Sequence, residues 1–430
     1  MNEIYDVAII GGGPAGSTAA CLLAKAGRRV VVLEREKFPR FHIGESLLPY
    51  SMPVFDRLGV RAELDRTCQP KTGAELLTAC GSRRIVFQFR DGYHLAHHRS
   101  YQAERSSFDK LLLDNAARNG AEVREETSVA GADFDAEGVT VRLGGDGAPS
   151  IRARYLIDAS GRNTVVGQQQ GLKKSYPHLN KFSVFAHYEN VHREPGEHCG
   201  KLTRMVRAKD RWFWVIPLSE TKTSIGMVTD TATFKQWRMT PEEALEASFR
   251  EQPHFAEILA DAKRVTPVYS TGDYSYRNTS FAGPRWLMAG DAAGFIDPVF
   301  STGVFLAIAS AEKAADAIHV ALDHPGKAPR LFRQYEERLT RVMDLYLRFV
   351  TSWYQHEFIE VITSPTKNFQ LPAAVNAVLA GNINGGFSIW WRMQLFYLVV
   401  FLQKFATLCP RLTLKPAPVT PAQPVAPCVS

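Results

Sequence analysis

The sequence is poor in cysteine and lacks a long apolar run. Its six cysteines (Cys21, Cys68, Cys80, Cys199, Cys409 and Cys428) are scattered and form no CxxC pair. That argues against a zinc site and against a disulfide framework, so no metal is expected. A reducing cytoplasm is the simplest compartment for such a chain. The chain enters a strand by Tyr5, so no secretory leader is expected. The most apolar stretch, 395–402, has eight residues and is flanked by Arg392, Gln394, Gln403 and Lys404. It is too short to span a bilayer and reads as a packed helix in preference to one lying on a membrane surface. There is no Lys/Arg-rich run with interleaved aromatics, which argues against nucleic acid as a partner. Internal repeats are also missing.

What is present is an ordinary globular composition. The chain has 430 residues, 45% of them hydrophobic and 22% charged. That length implies two or three subdomains and a core large enough to enclose a ligand. The formal net charge is +7. It suits an acidic ligand or an acidic protein partner, and it equally suits a merely basic surface.

Residues 6–10 form a continuous apolar run of the kind buried in parallel sheets. The run Gly11-Gly12-Gly13-Pro14-Ala15-Gly16 follows. Residues 17–26 then read as a helix closed by Gly27, and 29–33 as a second strand ending at Glu34. This is a βαβ unit carrying GxGxxG. Gly11 allows the tight turn, Gly13 lets backbone approach a pyrophosphate, and Gly16 packs helix on strand. The helix N-terminus, with Ala15 in its first turn, offers free N–H groups to phosphate. Glu34 is placed to accept bonds from ribose hydroxyls. These residues predict a dinucleotide site, and the motif alone does not separate NAD from FAD.

Three further segments bear on that choice. Arg105, in Glu104-Arg105-Ser106-Ser107-Phe108-Asp109, opens a helix. Gly290-Asp291-Ala292-Ala293 follows a buried strand. Asp158-Ala159-Ser160-Gly161-Arg162 lies between them. Together and in this order they resemble the flavin monooxygenase family. The resemblance implies FAD, with Asp291 on the ribityl chain and the helix after it aimed at the flavin.

The expected fold is α/β. An FAD-binding, doubly wound domain covers 1–80, 100–175 and 275–328, with strands at 122–124, 155–158 and 286–289. An antiparallel substrate-domain sheet covers 81–99 and 176–274, with strands at 182–188, 212–218 and 224–228. A helical region covers 329–415, with helices over 329–363 and 387–405. The tail 416–430, which carries five prolines, reads as disordered.

Four more segments narrow the resemblance. Trp212-Phe213-Trp214-Val215-Ile216-Pro217 puts Trp212, Trp214 and Ile216 on one face of a strand. Lys71 lies in Cys68-Gln69-Pro70-Lys71-Thr72-Gly73-Ala74. Gly44-Glu45-Ser46-Leu47-Leu48-Pro49 and Asp297-Pro298-Val299-Phe300-Ser301-Thr302-Gly303-Val304 complete the set. Plain structural readings exist as well: an aromatic core strand, a solvated lysine, and a loop that binds flavin and nothing else. Taken together they resemble the flavin-dependent halogenases over most of the chain.

That resemblance implies a reaction. Reduced FAD and oxygen form a C4a-hydroperoxide, halide attacks it, and the hypohalous acid released meets Lys71. Lys71 delivers electrophilic chlorine or bromine to an aromatic ring. Trp212 and Trp214 wall the substrate off from the flavin, Ser46 lies in the strap between the two sites, and backbone at Thr302 and Gly303 binds halide. The tryptophan-halogenating branch carries Glu where this chain has Phe300, and it has a longer C-terminal region. The expected substrate is therefore a phenol or pyrrole, free or tethered to a carrier protein. Only one dinucleotide fingerprint is present, so a separate reductase is expected to supply the reduced flavin. Rival readings are a single-component aromatic hydroxylase, a prenyl-type reductase and a non-catalytic flavin-binding regulator.

Overall fold

The strand Tyr5–Ile10 is buried almost throughout, as its apolar run requires. Ser150–Asp158 lies parallel to it on one side and Val30–Leu33 on the other. Trp286–Met288 and Glu122–Arg124 extend the parallel order at the two ends. The order is that of a doubly wound sheet, with the Gly-rich turn at the carboxyl end of the central strand. This is a computed structural model, and it describes residues 4–145, 149–272, 274–364, 368–383, 385–412 and 414. The expected disordered tail, 416–430, lies outside the described residues.

The helix after the first strand spans Pro14–Lys25 and starts inside the glycine motif, ahead of the expected residue 17. Pro14 sits in the first turn, where its missing N–H breaks no helical bond and its fixed φ suits the helix. This helix packs against Arg105–Arg118 and Thr302–Asp323. The long strand Ser150–Asp158 does double duty. Its first half pairs antiparallel with Val139–Leu143, which pairs in turn with Val129–Phe134.

The second sheet runs Lys263–Arg264, Lys181–Glu189, Lys222–Asp230, Arg211–Pro217, Leu202–Arg207, Gly73–Thr78 and Arg84–Gln88. It takes in Gly73–Thr78, ahead of the boundary expected at residue 80. Its two faces bury different cores. Trp212, Trp214 and Ile216 join the main core, shared with the flavin-domain helices. Phe213 and Val215 face a smaller core with Ile225, Met227, Phe249 and Phe255. The alternation follows from the two-residue period of a strand.

Three helices not expected from the sequence cover that smaller core: Thr231–Trp237, Pro241–Arg250 and Pro253–Ile258. In the C-terminal region the helix expected over 329–363 is two, Ala328–Trp353 and His356–Ile362. The break falls where Gln355 turns extended (φ −83°, ψ 137°). A further helix, Leu371–Leu379, precedes Gly386–Leu402. No helix among the described residues is long and apolar enough to cross a membrane.

Candidate active site

The Gly-rich turn is shaped by contacts that leave no room for side chains. Gly11 has φ +97°, and a Cβ there would stand 2.4 Å from the Ala159 carbonyl oxygen. A Cβ at Gly16 would stand 1.8 Å from the Gly11 carbonyl oxygen. Gly13 is different. Among the described residues only Arg40 Nη2 lies near its missing side chain, at 3.5 Å. The glycine therefore keeps a gap open between the backbone and a cation, at the N-terminus of the helix that carries Ala15 and Gly16. Glu34 is oriented by backbone. Its Oε2 accepts from the Gly12 N–H at 2.6 Å and its Oε1 from the Glu36 N–H at 2.8 Å.

Arg105 is buried, and its guanidinium is held within the protein. Nε and Nη2 donate to the two oxygens of Asp109 at 2.7 and 2.8 Å, and Nη1 donates to the Ile43 carbonyl at 2.7 Å. Burial opposes its charge, but Asp109, Asp291 and Glu45 outweigh that and raise its pKa. Asp109 also accepts from Arg40 at 3.0 Å. Asp291 is half-buried. Burial pushes its carboxyl up to about 6 against the pull of Arg105 and Arg162. Among the described residues its carboxylate makes no hydrogen bond. Gly290–Ala292 is a single 3₁₀ turn, and the helix that follows it begins at Thr302, after the loop from Asp297.

The segment around Ser46 lies along the strand Ser100–Gln102. The Ala103 N–H donates to the Glu45 carbonyl at 2.8 Å, and the Leu47 N–H to the Tyr101 carbonyl at 2.9 Å. That strand pairs on its other edge with Gln69–Lys71. Lys71 then reaches across, donating to Ser46 Oγ at 2.8 Å and to the Leu47 carbonyl at 3.2 Å. Lys71 is fully buried and its pKa falls to about 7 through burial alone. Ser46 Oγ also meets Thr203 Oγ1 at 2.8 Å. Its hydroxyl is thus bonded to Lys71 and Thr203.

Trp212 and Trp214 are both buried, with ring centroids 6.0 Å apart. Trp214 Nε1 donates to Ser224 Oγ at 3.1 Å. Its ring occupies the space above Gly226, where any Cβ would stand 2.3 Å from it. Trp212 Nε1 donates to Tyr354 Oη at 3.1 Å, and Tyr354 Oη donates to Asp297 Oδ2 at 2.6 Å. Asp297 is buried, its carboxyl pushed up to about 6 by burial. Its other oxygen accepts from the Val299 N–H at 3.1 Å. Lys181 Nζ lies 3.6 Å from the Tyr354 ring centroid and is paired with Asp230 at 2.6 Å. Phe300 packs on Phe349 and Trp353, at 4.5 and 5.5 Å between centroids. Thr302 is buried at the start of its helix, behind a left-handed Ser301 (φ 59°). Gly303 has nothing within 4 Å of its missing side chain.

A family model for an FAD binding domain matches residues 4–349. A chlorinase of 1H-pyrrole-2-carbonyl groups on a peptidyl-carrier protein, from Pseudomonas fluorescens, is 32% identical over 82% of this chain and 84% of its own length. The chain belongs to the flavin-dependent halogenase family. Two solved structures agree in fold. A flavin-dependent brominase superposes with TM-score 0.84 at 25% identity, over 94% of this chain and 99% of the other. A flavoprotein/dehydrogenase from Cytophaga hutchinsonii gives TM-score 0.84 at 30% identity, over 93% and 99%.

FAD is the cofactor of this halogenase, and the cradle fits it. The Gly13 gap faces the helix N-terminus, Glu34 is pre-oriented, and Asp291 keeps a carboxylate without a hydrogen bond. The structure joins Lys71 to Ser46, sets Arg105 near Asp291, and links Trp212 through Tyr354 to the loop that carries Thr302 and Gly303. Among the described residues no hydrogen bond or ring contact joins Lys71 to Trp212, Trp214, Thr302 or Gly303.

Sequence reasoning missed Arg40, Asp297, Tyr354 and the buried pair of His187 Nε2 with Glu45 Oε1 at 2.7 Å. Asp297 and Glu45 each stand inside a segment singled out for another residue, which is the signal that was available. Tyr354 and His187 gave none, because their partners are distant in sequence.

Proposed function

We propose that this halogenase installs chlorine or bromine on an electron-rich pyrrole- or phenol-type ring presented on a carrier protein. The observation that carries the chemical part is the buried Lys71, an amine whose hydrogen-bond partners among the described residues are a hydroxyl and a carbonyl. When bound, reduced FAD with oxygen supplies the oxidising power that turns halide into hypohalous acid. Gly13, Glu34, Arg40 and Asp291 hold the cofactor, and a separate reductase supplies its electrons. Thr302 and Gly303 offer the free N–H groups of a helix N-terminus to halide, and the open space at Gly303 admits it. Lys71 holds the hypohalous acid and presents its halogen to the ring carbon. The carbon–halogen bond forms as the halogen–oxygen bond breaks, and the displaced oxygen leaves as water with the ring proton. Trp212 and Trp214 keep the ring apart from the flavin.

The substrate reading rests on two supports. The pyrrole chlorinase of similar length acts on a carrier-bound ring. Phe300, packed into an aromatic cluster, provides no carboxylate to assist proton loss, and a ring activated by its own heteroatom needs none. The test is Lys71→Ala in FAD-loaded protein. The variant is expected to consume reduced flavin and oxygen at the normal rate, release peroxide, and make no halogenated product. Halogenation at a comparable rate would remove Lys71 from the reaction.

A further inference from the structure

The helix Gly386–Leu402 is apolar on both sides. Its inner side, Ile389, Met393, Phe396, Tyr397 and Val400, is buried against the rest of the C-terminal region. Its outer side is not covered. Phe387 is 75% exposed, Trp390 58%, Phe401 54% and Phe405, just beyond the helix, 75%. Leu398 and Leu402 are exposed between them. At 3.6 residues per turn these six fall on one stripe opposite the buried side. The exposed rings are paired, Phe387 stacked on Trp390 and Phe401 against Phe405. A contiguous apolar stripe of this kind marks a surface that something covers.

The charge says what covers it. After Glu360 the sequence holds no further Asp or Glu, while Lys367, Arg392, Lys404, Arg411 and Lys415 are all basic. This stretch therefore supplies five of the seven formal charges in excess. A groove of about 460 Å³ opens beside Phe401. Arg348 and Lys404 line it, together with Asp344, which is paired with Arg277. A second copy of the chain would set the same cations face to face. An acidic protein would answer the charge and leave the row of aromatic and aliphatic side chains unmatched. Trp, Phe and Leu on one face, with the cations Arg348 and Lys404 beside them and the one neighbouring carboxylate, Asp344, already paired with Arg277, is the composition of a helix that lies in a lipid interface.

We propose that this face docks the halogenase on an anionic lipid surface, with the helix in the plane and the aromatic stripe in the headgroup boundary. The proposal is independent of the substrate reading. The test uses the full, FAD-loaded chain with phosphatidylcholine vesicles, with and without phosphatidylglycerol. The protein should co-sediment with the anionic vesicles, and its tryptophan emission should shift to the blue. Substituting Trp390→Ser, Phe401→Ser and Phe405→Ser together should weaken binding by at least about tenfold while leaving halogenation of a free ring unchanged. Lys404→Glu should weaken binding to anionic vesicles only, and added salt should do the same. Absence of co-sedimentation and of the shift would overturn the proposal. So would a wild-type dimer in light scattering that the triple variant converts to monomer, because the face would then belong to a second copy. Loss of turnover on a carrier-bound ring alone, with no vesicle binding in wild type, would assign it to the carrier instead.

Discussion

Among the described residues Lys71 has only neutral hydrogen-bond partners, and its pKa of about 7 follows from burial. In the unfolded chain the amine titrates near its ordinary 10.5. Below about pH 7 both states carry the proton, and the folded state bears the full penalty of burying it. Between about 7 and 10.5 the unfolded chain still holds the proton and the folded chain has released it, so folding becomes more favourable as pH rises. Denaturant titrations from about pH 6 to about pH 9 should show wild type gaining stability relative to Lys71→Met. A difference constant with pH would mean that Lys71 keeps its ordinary pKa. Gly13 gives a second prediction. Valine there fills the gap beside Arg40, so FAD affinity should fall by at least about tenfold, or about 1.4 kcal/mol. Equilibrium dialysis measures it, and unchanged affinity would remove the phosphate role assigned to this turn.

Three elements meet around Tyr354: the Arg211–Pro217 strand, the loop from Asp297 into the Thr302 helix, and the end of Ala328–Trp353. Tyr354→Phe removes one hydroxyl and leaves both Asp297 Oδ2 and Trp212 Nε1 buried without a partner, at a cost of about 1–3 kcal/mol. The expected result is a protein that still binds FAD but releases more hypohalous acid per halogenated product, because Trp212 loses its register on the loop. An unchanged product ratio would reduce this network to core packing. Much of the fold was legible because its pattern is strong: the βαβ unit, the period-two tryptophans, the strand before Gly290. What was not legible has physical reasons. Leu371–Leu379 is buried on nearly every side, so it shows no polar face to set a helical period. The helices after Asp230 are short, and the local start signal of one, Pro241–Arg250, is the complete capping box of Thr240 and Glu243. The break at Tyr354 serves a contact with Asp297, which no local pattern encodes. Lys71 and the two tryptophans stand in segments that resemble the family's motifs, whereas Arg40 does not, because only folding brings its guanidinium beside Gly13.

At the scale of the molecule, the doubly wound sheet carries the Gly-rich turn, the second sheet presents the tryptophan face, and the C-terminal helices close the aromatic cluster around Phe300. The basic surplus and the relative's carrier-bound substrate lead to one more expectation. Halogenation of a carrier-bound ring should slow as salt rises, because an acidic carrier is steered by screened charge. Salt-independent turnover would remove that steering. The most direct test of the whole account is mass spectrometry of products made with FAD, a flavin reductase, oxygen, and chloride or bromide. The same pyrrole or phenol is supplied free and carrier-bound, and free tryptophan serves as competitor. The account predicts a halogenated carrier-bound ring, with Lys71→Ala yielding none. A hydroxylated ring without halogen, or tryptophan halogenated as fast as the carrier-bound ring, would contradict it.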